Sequence, residues 1–280
     1  MDNYQLTQDQ ITAYGVCLRT EEHTPSTIEK YLRDTRAFAV WLEGRPVTRE
    51  LAAEWRDRLL SSGHKPSTVN SMLAAVNGLF RFLGWGIRVK FLKVQRRLFR
   101  DQSRELTRGE YDLLVNTARA AGKERLALLM EAVCATGVRV SEVKYLTVEA
   151  AQCGRAEIAL KGKIRMILLP NKLCRKLLKY ARKQKIASGE IFLTRSGRSL
   201  SRRQIWAEMK QLCKATGVAS EKVYPHNLRH LFARTFYQAC KDIARLADVL
   251  GHSSIETTRI YLVTTGAEQV RQLDRLGLVS

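Results

Sequence analysis

Along most of the chain, apolar residues return every three or four positions, the spacing of one buried helical face. Ile28, Tyr31, Leu32, Phe38 and Leu42 form one stripe; Val69, Met72, Leu73, Val76, Leu79, Phe80 and Leu83 form another. The two stripes open alike, Pro25-Ser26-Thr27-Ile28 and Pro66-Ser67-Thr68-Val69. Proline suits the first turn of a helix, where its missing N–H would have no partner in any case. The spacing therefore predicts helices from Pro25 and Pro66, just after Thr24 and Lys65. Two copies are too few for a solenoid and fit a small helical bundle.

The pattern changes between Gly84 and Arg104, which reads GWGIRVKFLKVQRRLFRDQSR, with glycines first and basic residues throughout. This stretch is expected to be an interdomain linker. Thr107 and Glu110 then form a T-x-x-E capping box for a new helix, and helical spacing runs on to Leu146. At Ala156-Glu157-Ile158-Ala159-Leu160 the period shortens to two. Lys161-Gly162-Lys163 reads as a turn and Met166-Ile167-Leu168-Leu169 as the returning strand. After Pro170 the pattern is helical again, interrupted around Ile191-Phe192-Leu193 and Gly217. Gly251 is expected to end one helix, and Ser253 with Glu256 to cap the next.

A chain of 280 residues is long enough for two domains. The expected fold class is mainly α (α+β): a helical domain over 1–86, a basic linker over 87–104, and a larger, mostly helical domain with a small antiparallel sheet over 105–280.

Charge narrows the partners. Lys and Arg number 48 against 27 Asp and Glu, a formal net charge of +21. Such an excess repels itself within a compact fold and suits a polyanion. Nucleic acid is the leading partner. No run approaches the roughly 20 apolar residues that span a bilayer, and MDNYQLTQDQ does not read as a signal peptide, so no membrane partner is expected. The six cysteines, at 17, 134, 153, 174, 213 and 240, form neither a CxxC pair nor a zinc-finger array. They are read as reduced core thiols of a cytoplasmic protein, and neither metal nor cofactor is expected.

Three segments carry candidate chemistry: Ala135-Thr136-Gly137-Val138-Arg139-Val140-Ser141-Glu142, Pro225-His226-Asn227-Leu228-Arg229-His230, and Leu250-Gly251-His252 through Thr257-Thr258-Arg259-Ile260-Tyr261. On a helix His226 and Arg229 share a face. In order, Arg139, Lys161 or Lys163, His226 with Arg229, His252 and Tyr261 resemble the tyrosine recombinase family, the phage integrases and Xer-type recombinases. The nine-residue step from His252 to Tyr261, within LGHSS-x-x-TT-x-x-Y, carries most of the likeness.

The resemblance implies a core-binding, SAM-like N-terminal domain and a catalytic domain from about residue 105, together forming a C-shaped clamp on double-stranded DNA. It implies a homo-tetramer working on two DNA sites, with no cofactor. Tyr261 would be the nucleophile forming a 3′-phosphotyrosyl link. Arg139 and Arg229 would stabilise the transition state, His226 would be the general base, and His252 would hydrogen-bond the phosphate and buttress Tyr261. Glu142 resembles the acid that braces the active-site arginine, and His230 a structural support. A terminal helix, with Val270, Leu273 and Leu276 at helical spacing, would pack on a neighbouring protomer. The hairpin turn is shorter than the GKGxKxR of Xer-like members. Anchoring on the strand before the turn selects Lys161 as the catalytic lysine, whereas counting from Arg139 selects Lys163; Lys161 is the candidate.

The residue types suit that chemistry. Two guanidiniums can grip a phosphate, whose transition state gathers charge on its oxygens. A tyrosine, with a pKa of about 10, needs a base before it attacks. The role implied is DNA integration and excision, or resolution. Alternative readings are a type IB topoisomerase relaxing DNA, a catalytically silent DNA-binding relative, and a basic RNA binder.

Overall fold

The computed structural model describes residues 4–94, 102–160, 163–252, 254–261, 270 and 274–276. The chain divides into two compact units, Met1–Arg96 and Arg97–Ser280. No helix among the described residues is long and apolar enough to cross a membrane.

Four helices build the first unit: α1 (Gln8–Thr20), α2 (Pro25–Leu42), α3 (Arg49–Ser61) and α4 (Pro66–Phe82). Both prolines occupy the first helical turn, after Thr24 and Lys65, as the sequence repeat predicts. The stripes close on an aromatic centre. Phe38 meets Trp55 edge-on with ring centroids 5.0 Å apart, and Phe80 in the same manner at 5.7 Å. Edge-on packing sets the positive rim of one ring against the negative face of the other. A smaller cluster of Ile11, Tyr14, Leu18, Ile28 and Leu79 holds α1 to α2 and α4.

Residues 87–92, read from sequence as the start of the linker, are fastened to this unit. Ile87 and Val89 are buried in its core, and Trp85 stacks on Tyr4 at 4.7 Å. The fastening comes from two asparagines two turns apart on α4. Asn77 accepts from the Val89 N–H and donates to the Val89 carbonyl, both at 2.9 Å. Asn70 does the same for Leu92, at 2.8 and 2.9 Å. A side-chain amide offers the same donor and acceptor pair as a peptide edge, so α4 binds an extended segment much as a strand would.

The second unit is organised around α6 (Glu124–Thr136), of which Leu126–Met130, Ala132, Val133 and Thr136 are all buried. A helix apolar on every side belongs in the middle of a core. Around it lie α5 (Arg108–Ala120), α8 (Asn171–Lys183), α9 (Arg202–Thr216) and α10 (Pro225–Cys240). The Thr107–Glu110 capping box is present at the start of α5. A 3₁₀ turn, Val140–Tyr145, and α7 (Val148–Cys153) lead into the hairpin of β1 (Arg155–Leu160) and β2 (Lys163–Leu168). Its antiparallel register pairs Ile158 with Arg165 and Leu160 with Lys163. Lys163 is thus a strand residue rather than part of the turn; Lys161 and Gly162 lie outside the described residues.

α11 (Ile243–Leu250) ends at Gly251, which has a φ of +63°, and α12 (Ile255–Arg259) follows. Gly251 matches the expectation. Ser254 accepts from the Glu256 N–H through its hydroxyl; Ser253, expected from sequence to cap α12 with Glu256, lies outside the described residues. The terminal helix expected around Val270, Leu273 and Leu276 lies mostly outside the described residues. Val270 and Leu276 are exposed. Of the six cysteines, read from sequence as core thiols, only Cys174 is buried, and Cys153 and Cys240, each at the C-terminal end of a helix, are exposed.

Removing the Asn77 amide leaves both main-chain groups of Val89 without their partner. An Asn77→Ala chain should lower stability by about 1–3 kcal/mol, the usual cost of orphaned buried groups, seen as a lower urea midpoint. An unchanged midpoint would show that the Asn77 pair adds nothing to the hold of Ile87, Val89 and the Asn70–Leu92 pair.

Candidate active site

The ends of three helices meet in the second unit. The chain leaves α6 through Gly137, whose left-handed conformation (φ +65°) turns it toward Arg139. A side chain at Gly137 would also strike the Phe232 ring. Arg139 then caps the 3₁₀ turn. Its main-chain N–H donates to Glu142 Oε2 and its Nη1 to Glu142 Oε1, each at 2.8 Å. The Glu142 carboxylate is 3% exposed, and Arg139 remains about two-fifths exposed. A buried acid thus points a half-free guanidinium outward.

Arg229, on α10, is 1% exposed. It has no carboxylate among its described hydrogen-bond partners. Its Nη1 donates to the Gly137 carbonyl and its Nη2 to the Leu250 carbonyl at 2.8 Å. These oxygens lie at the C-terminal ends of α6 and α11, where unpaired carbonyls and the helix dipole offer partial negative charge. Burial lowers the Arg229 pKa, and Arg139 acts in the same sense, while a hydrogen bond to Tyr261 works the other way.

Nη2 of Arg229 also meets His252 Nε2 at 3.0 Å. Arginine can only donate, so Nε2 must accept and Nδ1 must carry the ring proton. Nδ1 lies 2.8 Å from Thr258 Oγ1, to which it donates. The ring is held neutral. Burial, then Arg229, Arg139 and Arg165, push its pKa down to about 4. His226, in the first turn of α10, is also shifted down, by burial and then by Arg229 and Arg139.

Tyr261 follows α12 and is 2% exposed, packed with Ala233, Leu246 and Leu250. Three imidazoles surround its ring. His230 stands edge-on at 4.5 Å between centroids, His252 is stacked at 5.9 Å, and His226 lies at 6.3 Å. His230 is thus the nearest of the three.

The fold therefore brings together Arg139, His226, Arg229, His252 and Tyr261. Lys161, the remaining candidate, lies outside the described residues. Two neighbours were not singled out from sequence. Thr258 is fully buried and hydrogen-bonds Nδ1 of His252. Arg165 points inward from β2 and is 3.5 Å from Glu142. Its signal was available: a charged residue at an inward strand position, between outward-facing Ile164 and Met166.

The comparisons agree with this geometry. Residues 104–267 match the phage integrase family, and residues 11–86 match the phage integrase N-terminal SAM-like domain. The chain belongs to the phage integrase family, the tyrosine recombinases. It is 31% identical over 282 residues to tyrosine recombinase XerC of Roseiflexus castenholzii, covering 90% of this chain and 88% of that protein. It is 28% identical over 263 residues to tyrosine recombinase XerA of Thermococcus kodakarensis, covering 91% and 90%. Its fold is similar to lambda integrase 75–356, solved as a dimer bound to a COC′ core site, with a TM-score of 0.74 and 19% identity over 92% of this chain and 95% of that one. The chain is accordingly an enzyme of site-specific recombination that cleaves and rejoins DNA strands.

The neutral histidines give a sign to pH dependence. His252 titrates near 4 when folded and near 6.5 when free. Between those values the unfolded chain binds the extra proton, so stability falls as pH drops through this window and is unaffected above it. Urea midpoints should decline from pH 6.5 to pH 4, and the decline should be shallower in His252→Asn. Parallel curves for the two proteins would show that other groups govern the acid limb.

Proposed function

We propose that Tyr261 attacks the scissile phosphate of duplex DNA, forming a 3′-phosphotyrosyl link and releasing the 5′ oxygen. The observation that carries this reading is the convergence of Tyr261, Arg229, His252 and His226 at one place. Arg139 and Arg229 supply fixed positive charge for the phosphorane-like transition state, where preorganised donors count most. His226, weakly basic in this setting, serves as the general base. His252 hydrogen-bonds the phosphate and buttresses Tyr261. Lys161 protonates the leaving 5′ oxygen. Arg229 and Tyr261 are both nearly fully buried, so contact with a phosphate requires α12 to move relative to α10.

The helical unit before the linker serves as the core-binding domain, and residues from about 105 onward as the catalytic domain. Phosphate contacts supply most of the affinity and base contacts the choice of site. Exchange between two duplexes requires four active sites, so the working unit is a homo-tetramer on two DNA sites. Xer-like resolution, or movement of a mobile element, is the biological role proposed. The place of action is the cytoplasm, where the six free cysteines stay reduced.

A nicked suicide substrate tests the nucleophile. The wild-type chain should form a covalent adduct that survives a denaturing gel. Tyr261→Phe should bind the same DNA within about twofold and form none, because the substitution removes only the oxygen that becomes the ester. An adduct from the Phe variant would refute the assignment.

The lysine is tested by sulfur. A positioned acid contributes about 10²–10⁴ in rate, and a 5′-thiolate leaves without one. Lys161→Ala should cut ordinary DNA slowly and recover on a 5′-bridging phosphorothiolate. Lys163→Ala should lose little and gain nothing from sulfur. The reverse result would move the acid to Lys163.

A further inference from the structure

Arg165 has a setting that neither the fold nor the roles assigned above explain. Its side chain is 12% exposed. Nη1 donates to the Leu250 carbonyl at 2.6 Å and lies 3.5 Å from Glu142 Oε1. Nε and Nη2 are buried and find no hydrogen-bond partner among the described residues. Orphaned buried donors are costly, about 1–3 kcal/mol each in typical cases. A buried guanidinium left so poorly satisfied calls for a compensating role.

The location supplies one. The Leu250 carbonyl is the same oxygen that accepts from Arg229, and Glu142 is the same carboxylate that aims Arg139. Gly251, between Leu250 and His252, lies directly against the Arg165 stem, and a side chain there would overlap Cδ and Nε. At its other end Arg165 is part of β2, two residues from Lys163 and four from Lys161. The outward face of β2 is exposed, with Ile164 at 73% and Leu168 at 74%. The inward side chains are what attach the strand, and of the described ones Arg165 is nearest the turn.

We propose that Arg165 is a positioning residue for the cleavage site: it ties the lysine-bearing hairpin to the Leu250–His252 turn and to Glu142, so that the general acid is held in register with the phosphate-binding groups. Arg165 does not itself meet DNA in this arrangement, since its unpaired nitrogens are inaccessible. The proton that completes cleavage passes from the lysine Nζ to the leaving 5′ oxygen as the P–O5′ bond breaks, and Arg165 sets the distance over which it passes. This inference rests on the phosphotyrosyl reading, with the acid on this hairpin.

Arg165→Met and Arg165→Lys test the idea, beside the wild-type chain, on ordinary and 5′-bridging phosphorothiolate suicide substrates. The wild-type adduct tests the underlying reading separately; without it that reading fails, whatever the variants do. With it, both variants should bind DNA within about twofold and cut ordinary DNA about 10- to 100-fold more slowly, the usual size of an effect passed through a supporting contact. On the sulfur substrate both should return to within about threefold of wild type, because misplacing an acid no longer matters when none is needed. An equal defect on both substrates would overturn the proposal by tracing the loss to the arginine and histidine cluster or to general damage. Cleavage of ordinary DNA at the wild-type rate would also overturn it. So would failure of both variants to fold, judged by circular dichroism and urea titration, because Arg165 would then be needed for folding rather than for positioning.

Discussion

The site depends on how its positive charge is held. Three guanidiniums, those of Arg139, Arg165 and Arg229, gather around Glu142, whose carboxylate reaches the first two at 2.8 and 3.5 Å. Among the described residues of this cluster the balance is two positive charges in excess. Pairing each arginine with its own acid would neutralise that excess and leave nothing for a phosphate. Arg229 is instead satisfied by main-chain oxygens at two helix ends. Dipoles steady a buried cation without cancelling its charge, as a carboxylate would. This requirement fixes where α6 and α11 must stop, and hence why Gly137 and Gly251 end them. Both adopt a left-handed backbone, and both would clash with a neighbouring side chain if they carried one.

The same charge sets the state of the histidines. A cation that can only donate makes His252 accept at Nε2, and the surrounding arginines oppose any further proton. In the proposed mechanism, a phosphate that takes over the Arg229 donor now on His252 would reverse both constraints. Its negative charge raises the imidazole pKa, and Nε2 becomes free to donate. Thr258 makes that change inexpensive, because a hydroxyl can accept from Nδ1–H or donate to a bare Nδ1. A main-chain carbonyl in its place would lock one tautomer. The pairing of His252 with Thr258 thus suits the proposed role, in which the ring exchanges donor for acceptor when a phosphate arrives.

What could be read from the sequence follows how locally each feature is encoded. The prolines that open α2 and α4, the capping box at Thr107 and the glycine at 251 act within a few residues, and all appear where expected. The residues that converge around Tyr261, namely Arg139, His226, Arg229 and His252, could be picked out because they come in short strings of fixed spacing. The attachment of residues 87–92 was hidden because it joins Asn77 to Val89 and Asn70 to Leu92, 12 and 22 residues apart. An asparagine on a helix does not announce that it will imitate a strand edge.

Arg165 was hidden for a different reason, which bears on how the hairpin keeps its register. In β2 the inward positions hold Arg165 and Ile167, while Ile164, Met166 and Leu168 face out, at 73%, 53% and 74% exposed. By hydrophobicity alone, turning the strand over would bury three apolar side chains and release the arginine to water. A slip of one residue does this throughout a strand, so the weakly apolar inward face of β2 is a poor guard against it. The inward pairs Ile158–Arg165 and Ala156–Ile167 persist because Arg165 has fixed acceptors to meet, the Leu250 carbonyl and the Glu142 carboxylate. A flipped strand would leave Glu142 with one guanidinium fewer. A buried polar anchor of this kind adds little net stability but can choose one arrangement over another. Here the arrangement chosen is the one in which β2 is tied through Arg165 to the Leu250 carbonyl beside His252, and the exposed apolar face of β2 is the cost of holding it there.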